Sequence, residues 1–178
     1  SDLEEAQGYL EDDKLDAASG KLDSLEQDSS LTDEQRKQVE DMKNKLQSAK
    51  DSAQQQQENE QKKSERRQEF SSEMDELESD DLKISSAANA EDELAMTASS
   101  FEQWDELLSE MYDYLAGVLN ADQYASEEEN YKQWVAERDS GAENAASATE
   151  DSTQKQLASY SFKQSYTKAR CYKLLDMM

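Results

Sequence analysis

Proline and histidine are absent from this chain, glycine occurs four times, phenylalanine three times and cysteine once in 178 residues. Without proline and with so little glycine, the sequence lacks the turn punctuation that β-rich folds need. Without histidine it cannot build a Ser-His-Asp or Cys-His arrangement, and it has no imidazole to offer zinc or iron. One cysteine excludes an internal disulfide. The longest uninterrupted apolar stretches are a few residues, far short of the ~20 that a spanning helix requires. Carboxylate-only chemistry such as glycoside hydrolysis survives these exclusions. However, with 43 acidic residues in the chain, a pair of carboxylates can fall together anywhere by chance. No catalytic residue, cofactor site or metal site is assigned.

What is present is charge and helix formers. Ala, Glu, Gln, Lys, Leu and Asp fill the sequence, so the expected class is all-α. The net charge is −24, and it is uneven. Residues 1–53 carry 15 acids against 7 bases, residues 54–69 carry 4 of each, residues 70–160 carry 23 against 4, and residues 161–178 carry 1 against 4. The strongly acidic central block repels nucleic acid and anionic lipid and attracts cationic proteins; a solvated, solubilising surface is the plainer reading of the same charges.

Along the chain, Leu3, Ala6, Tyr9 and Leu10 form one stripe, and Leu15, Ala18, Leu22 and Leu25 a second, on either side of the polar break Glu11–Asp13. This predicts a short helical hairpin. It looks like a single tetratricopeptide-type hairpin, with no second copy to make an array. Thr32 followed by Gln35 is a capping-box pattern that starts a third helix near Asp33, and Val39, Met42 and Leu46 continue its apolar face. From residue 54 to 69 there is no apolar residue at all. That stretch reads as a polar helical linker, with disorder as the alternative; strong helix formers and the absence of glycine and proline favour the helix. Three parts are therefore expected: a helical hairpin with a third helix at 1–53, the linker at 54–69, and an antiparallel helical bundle at 70–178.

Within the last part, Trp104, Leu107, Leu108, Met111, Leu115, Val118 and Leu119 recur every three or four residues, the densest apolar stripe in the sequence. A helix is expected over about 91–119, after an irregular connection. The acidic run Ser126–Asn130 predicts the start of another helix, with Glu127, Glu128 and Glu129 solvated near its positive end. A last helix carries Leu157, Tyr160, Phe162, Tyr166, Tyr172, Leu174 and Leu175. Trp104, Tyr112, Tyr131 and Trp134 are read as core, Arg138, Asp139 and Arg170 as an ion-pair network joining three helices, and Cys171 as a buried inert thiol.

Three pieces stand in order: WDELLSEMYDYL at 104–115, WVAERD at 134–139 and YTKARCYKLL at 166–175. Together they resemble the lysozyme-inhibitor LprI family, whose pattern runs D-x-x-L-N-x-x-Y-x-x-L, then W-x-x-x-R-D, then T-x-x-R-x-x-x-L. The chain matches through Trp104, Asp105, Leu108, Tyr112, Leu115, Trp134, Arg138, Asp139, Thr167, Arg170 and Leu174. Ser109 stands where the family usually has Asn, and Ala142 where many members have a Cys, so the disulfide of those members is missing.

The resemblance implies an exported, non-enzymatic helical binding protein of a Gram-positive bacterium. It would be secreted or held at the cell surface by a lipid on a cysteine upstream of Ser1, with the motif residues structural in role. It also implies a basic protein such as lysozyme as partner, and neither nucleic acid nor membrane contact beyond the anchor. A structural adaptor of a surface lipoprotein and a carboxylate-based cell-wall hydrolase are the competing readings.

Overall fold

A computed structural model describes residues 1–178, which form six α-helices and no strand. The helices are α1 (Asp2–Glu11), α2 (Leu15–Glu26), α3 (Asp33–Asp81), α4 (Ala90–Val118), α5 (Ala121–Ala146) and α6 (Ser152–Asp176), with a 3-10 turn at Leu82–Ser86. None is long and apolar enough to cross a membrane. The all-α class expected from composition is the class observed. Packing divides the chain into two compact units, Ser1–Lys62 and Lys63–Met178, each with its own core.

In the first unit, α1 and α2 form the hairpin, turning through Asp13 at φ 58, a left-handed conformation that Asp tolerates better than most side chains. Ala6, Ala18, Leu22 and Leu25 bury against Val39, Met42 and Leu46 from α3. The third helix starts as its capping box dictates. The Gln35 amide N–H donates to the Thr32 hydroxyl at 3.2 Å, and the Thr32 amide donates to the Gln35 side chain at 2.9 Å. The polar stretch 54–69 is helical throughout, and no break separates it from the residues before or after it. Its exposed surface is stitched by i,i+4 bonds such as Gln54 to Glu58 at 3.0 Å.

The second unit is a helical bundle. Phe70 and Met74 of α3 pack with Trp104, Leu107, Leu108, Met111 and Leu115 of α4, Trp134 of α5 and Cys171, Leu174 and Leu175 of α6. Arg66 and Arg67 belong to this unit. The Arg66 guanidinium lies 4.0 Å over the Phe70 ring, and Arg67 Nε donates to the Leu175 carbonyl at 3.3 Å. The α4 helix is capped by Asn89, which accepts from the Asp92 amide at 2.9 Å, and Glu91, Asp92 and Glu93 meet the positive end of its dipole. At Gly141 α5 comes close to α6: a Cβ there would lie 2.2 Å from the Phe162 ring, so glycine is what lets that ring rest against the backbone.

One helix start differs from expectation. The α5 helix begins at Ala121, not in the acidic run at 126–130, because Asn120 and Gln123 form a reciprocal capping box. Glu127 is thereby moved past the first turn and onto the inward face. It is buried and ion-paired, in contrast to the solvated helix start expected for it.

Candidate functional site

The motif residues assemble into three polar clusters set in the core of the second unit. The first centres on Asp81, at the last turn of α3. Its carboxylate accepts from the Trp104 indole N–H at 3.0 Å, from Gln164 Nε2 at 2.9 Å and from the Ser100 hydroxyl. Lys168 approaches at 3.8 Å while bonding Glu78 at 2.9 Å. One carboxylate thus ties α3, α4 and α6 together, and Trp104, wholly buried, has its only polar atom satisfied.

The second cluster is Asp105, Arg138 and Asp139. Arg138 Nη1 donates to Asp105 at 2.8 Å and its Nε to Asp139 at 3.1 Å. The guanidinium also sits 5.1 Å from the Trp134 ring centre and 5.3 Å from that of Phe101, a cation covered by two aromatic faces. Here α5 is pinned to α4.

The third cluster is the most buried. Arg170 of α6 donates through Nε to the Tyr112 hydroxyl at 2.8 Å and through Nη2 to Glu127 of α5. Tyr112 in turn donates to the same Glu127 oxygen at 3.2 Å, and Asn130 donates to the other oxygen at 3.4 Å. Burial pushes the Tyr112 hydroxyl up to about 12, with Arg170 opposing and Glu127 reinforcing the rise. So Tyr112 stays neutral and able to donate at any physiological pH.

Arg138 and Arg170 therefore head two separate clusters; a single continuous network was expected. Leu108, Leu115 and Leu174 are buried apolar contacts beside them, and Thr167 is buried with no partner for its hydroxyl oxygen. Cys171 lies against α4, where its thiol donates to the Trp104 carbonyl at 3.6 Å; burial is the main cause that raises it to about 12, leaving it protonated and unreactive. At the two positions that depart from the family pattern, Ser109 bonds its own helix through the Asp105 carbonyl at 3.1 Å, and Ala142 is buried against its neighbours.

Sequence reasoning missed two of the anchoring acids. Both were legible as phase: Phe70, Met74, Leu77 and Asp81 run at i, i+4, i+7, i+11, and so do Glu127, Tyr131, Trp134 and Arg138. An acid that falls in the apolar phase of a helix is a candidate for a buried pair.

The outward surface is different in kind. On α4, Glu102, Glu106 and Asp113 lie opposite the buried stripe, exposed and with no cation paired to them. Glu110 beside them is 3.7 Å from Arg66. The Glu73 carboxyl nearby is pushed up by partial burial and by the charge of Glu110, partly offset by Arg66. What the motif provides is a clamped scaffold, and what the scaffold presents is negative charge.

Comparison with curated proteins and with solved structures finds no match. Comparison with protein families does: the lysozyme inhibitor LprI family matches residues 84–174, from the turn before α4 into the last turn of α6. That match covers half of the chain and includes all three clustered motifs at the positions just described. The chain belongs to the lysozyme inhibitor LprI family.

Proposed function

We propose that this chain is an extracytoplasmic, non-enzymatic binding protein whose second unit docks a basic protein of the lysozyme class and blocks it. The observation that carries this reading is the family membership of residues 84–174, and the charge agrees with it. Residues 70–160 hold 23 acids against 4 bases, and α4 turns an unpaired row of them outward. Complementary fields of this kind mainly raise the association rate and select partners by sign. Export and a lipid anchor in a Gram-positive envelope complete the proposal, since a cell-wall lytic enzyme is met outside the membrane. The test is inhibition of a basic lysozyme by the full chain at low and at physiological salt. Inhibition at micromolar protein that weakens as salt rises supports the reading, and none at either salt refutes it.

A surface adaptor role is the second reading, favoured by the separate core of the first unit, which lets its helical hairpin serve as a docking element apart from the second unit. Neutralising Glu102, Glu106 and Asp113 together separates the two: docking through α4 is lost, whereas docking through the first unit is unchanged.

A further inference from the structure

The first unit lies outside the matched residues 84–174, and between its helices α1 and α3 runs a groove of about 460 Å³. Its floor is apolar: Met42 of α3, buried, with Leu3 and Gly8 of α1, both half-buried. Along the rim stand Glu4 and Glu11 of α1 and Asp41 and Lys45 of α3, all exposed. A side chain is missing at Gly8, where a Cβ would meet no atom within 4 Å. The space beside it is room that another molecule's side chain can fill.

Shape and charge together select the occupant. At ~1.5 Å per residue the wall from Leu3 to Glu11 is about 12 Å long, and positions i to i+7 of a second helix need about 10 Å. Both walls are helices, so no strand edge is offered to an extended peptide; a helix brings its own backbone bonds and has only side chains to place. The rim is acidic and under-compensated. Glu4 is held by the Ser1 amino group at 2.6 Å, Glu11 accepts only the neutral Gln7 amide at 2.8 Å, and Asp41 has no ion pair. The lysines of this unit that do form ion pairs, Lys14, Lys21 and Lys43, spend them on Asp12, Asp2, Glu5, Asp23 and Glu26, none of which lines the groove. Three carboxylates against Lys45 thus favour a cationic partner, and a second copy of a chain of net charge −24 is repelled.

We infer that this groove receives a basic amphipathic helix of another protein, with a leucine-sized side chain in the space beside Gly8 and lysines or arginines meeting Glu4, Glu11 and Asp41. The apolar contact supplies most of the affinity, and the rim sets the sign and the orientation of the partner. The inference goes beyond the lysozyme reading and does not rest on it: it assigns the first unit a ligand class whether or not the second unit docks an enzyme.

The chain has four glycines, whose amides form a separate group in an ¹H–¹⁵N spectrum of the full protein, and Gly8→Ala identifies the signal from the groove. The probe is a synthetic helical peptide of about 18 residues, with leucines at i, i+3, i+4 and i+7 and lysines on the other face. Two controls keep its length, one with glutamate for every lysine and one with alanine for every leucine. The expected result at physiological salt is a saturable shift of the Gly8 signal with the basic leucine peptide alone, while Gly117 and Gly141 of the second unit stay in place. Gly8→Leu fills the space from within, where no atom obstructs it and helix propensity rises, and should weaken the peptide about tenfold or more. Glu11→Gln combined with Asp41→Asn, both at exposed positions, should weaken it about threefold and reduce its salt dependence. No saturable Gly8 shift up to about millimolar peptide overturns the inference. So does equal movement of Gly117 and Gly141, an equal effect of either control peptide, or an affinity unchanged by Gly8→Leu or by the paired acid variant.

Discussion

Replacing Arg170 by Met keeps an unbranched apolar stem and removes the charge and its donors, which makes it a sharp test of the third cluster. The Arg170 side chain is 6% exposed and its partner Glu127 10%. After the substitution, the Glu127 carboxylate remains under apolar cover with only the Tyr112 hydroxyl at 3.2 Å and the Asn130 amide at 3.4 Å to hold its charge. Breaking a buried pair from one side costs about 3–5 kcal/mol, most of it the stranded charge. Glu127→Gln strands Arg170 in the same way and should cost about as much. Combining the two removes both charges and should cost only about 1–2 kcal/mol, far less than the sum, so the coupling energy is at least about 4 kcal/mol. Urea unfolding followed by tryptophan fluorescence reads all four corners of the cycle, because Trp104 and Trp134 both lie in this core. An unchanged slope with denaturant shows that stability alone has moved. Single variants costing under ~1 kcal/mol, or a double variant equal to the sum, would refute the claim that this pair clamps α4, α5 and α6.

Other consequences can be checked alongside. Asp81→Ala leaves the Trp104 indole, Ser100 and Gln164 without their shared acceptor, so it should cost about 3 kcal/mol or more in the same unfolding assay, with Asp81→Asn milder because an amide oxygen remains. Cys171, raised from near 9 to about 12 by burial, and Tyr112, raised from near 10 to about 12, hold their protons in the folded state and lose them earlier when unfolded. Their contribution is therefore fully present below about pH 9 and is lost as pH rises through 12. Cys171 alone should remove about 2–3 kcal/mol by pH 11, and Cys171→Ala should flatten the first part of that slope. The same burial makes the thiol inert, so a thiol reagent should label Cys171 only at the rate of unfolding. Neutralising Glu102, Glu106 and Asp113 should change stability by less than about 0.5 kcal/mol, since they are exposed and unpaired, while slowing association with a basic partner.

Much of the fold was legible because helix periodicity and caps are local signals. The Thr32–Gln35 box, the stripe from Trp104 to Leu115 and the hairpin at the start of the chain all appear where their spacing placed them. The start of α5 was less legible, because three consecutive glutamates suit a helix dipole at 127–129 while the Asn120–Gln123 box a turn earlier does the capping. The polar partners in the core were the least legible part. Which acid meets Arg170 depends on the distance between α5 and α6, and nothing in the local pattern of Glu127 distinguishes it from Glu128 and Glu129 except its phase with Trp134 and Arg138. Likewise Asp81 sits in a run that reads as the polar end of a helix, although it carries three hydrogen bonds across the bundle.

In the function proposed above, a clamped helical scaffold presents acidic charge to a basic enzyme of the lysozyme class. The most direct measurement is the rate of cell-wall lysis by a basic lysozyme in the presence of the full chain, at low and physiological ionic strength, for the parent and for the variant with Glu102, Glu106 and Asp113 neutralised. Inhibition by the parent that declines with salt, and is weakened in the variant, is the predicted result. Undiminished lysis at low salt with micromolar parent protein would contradict the proposed function.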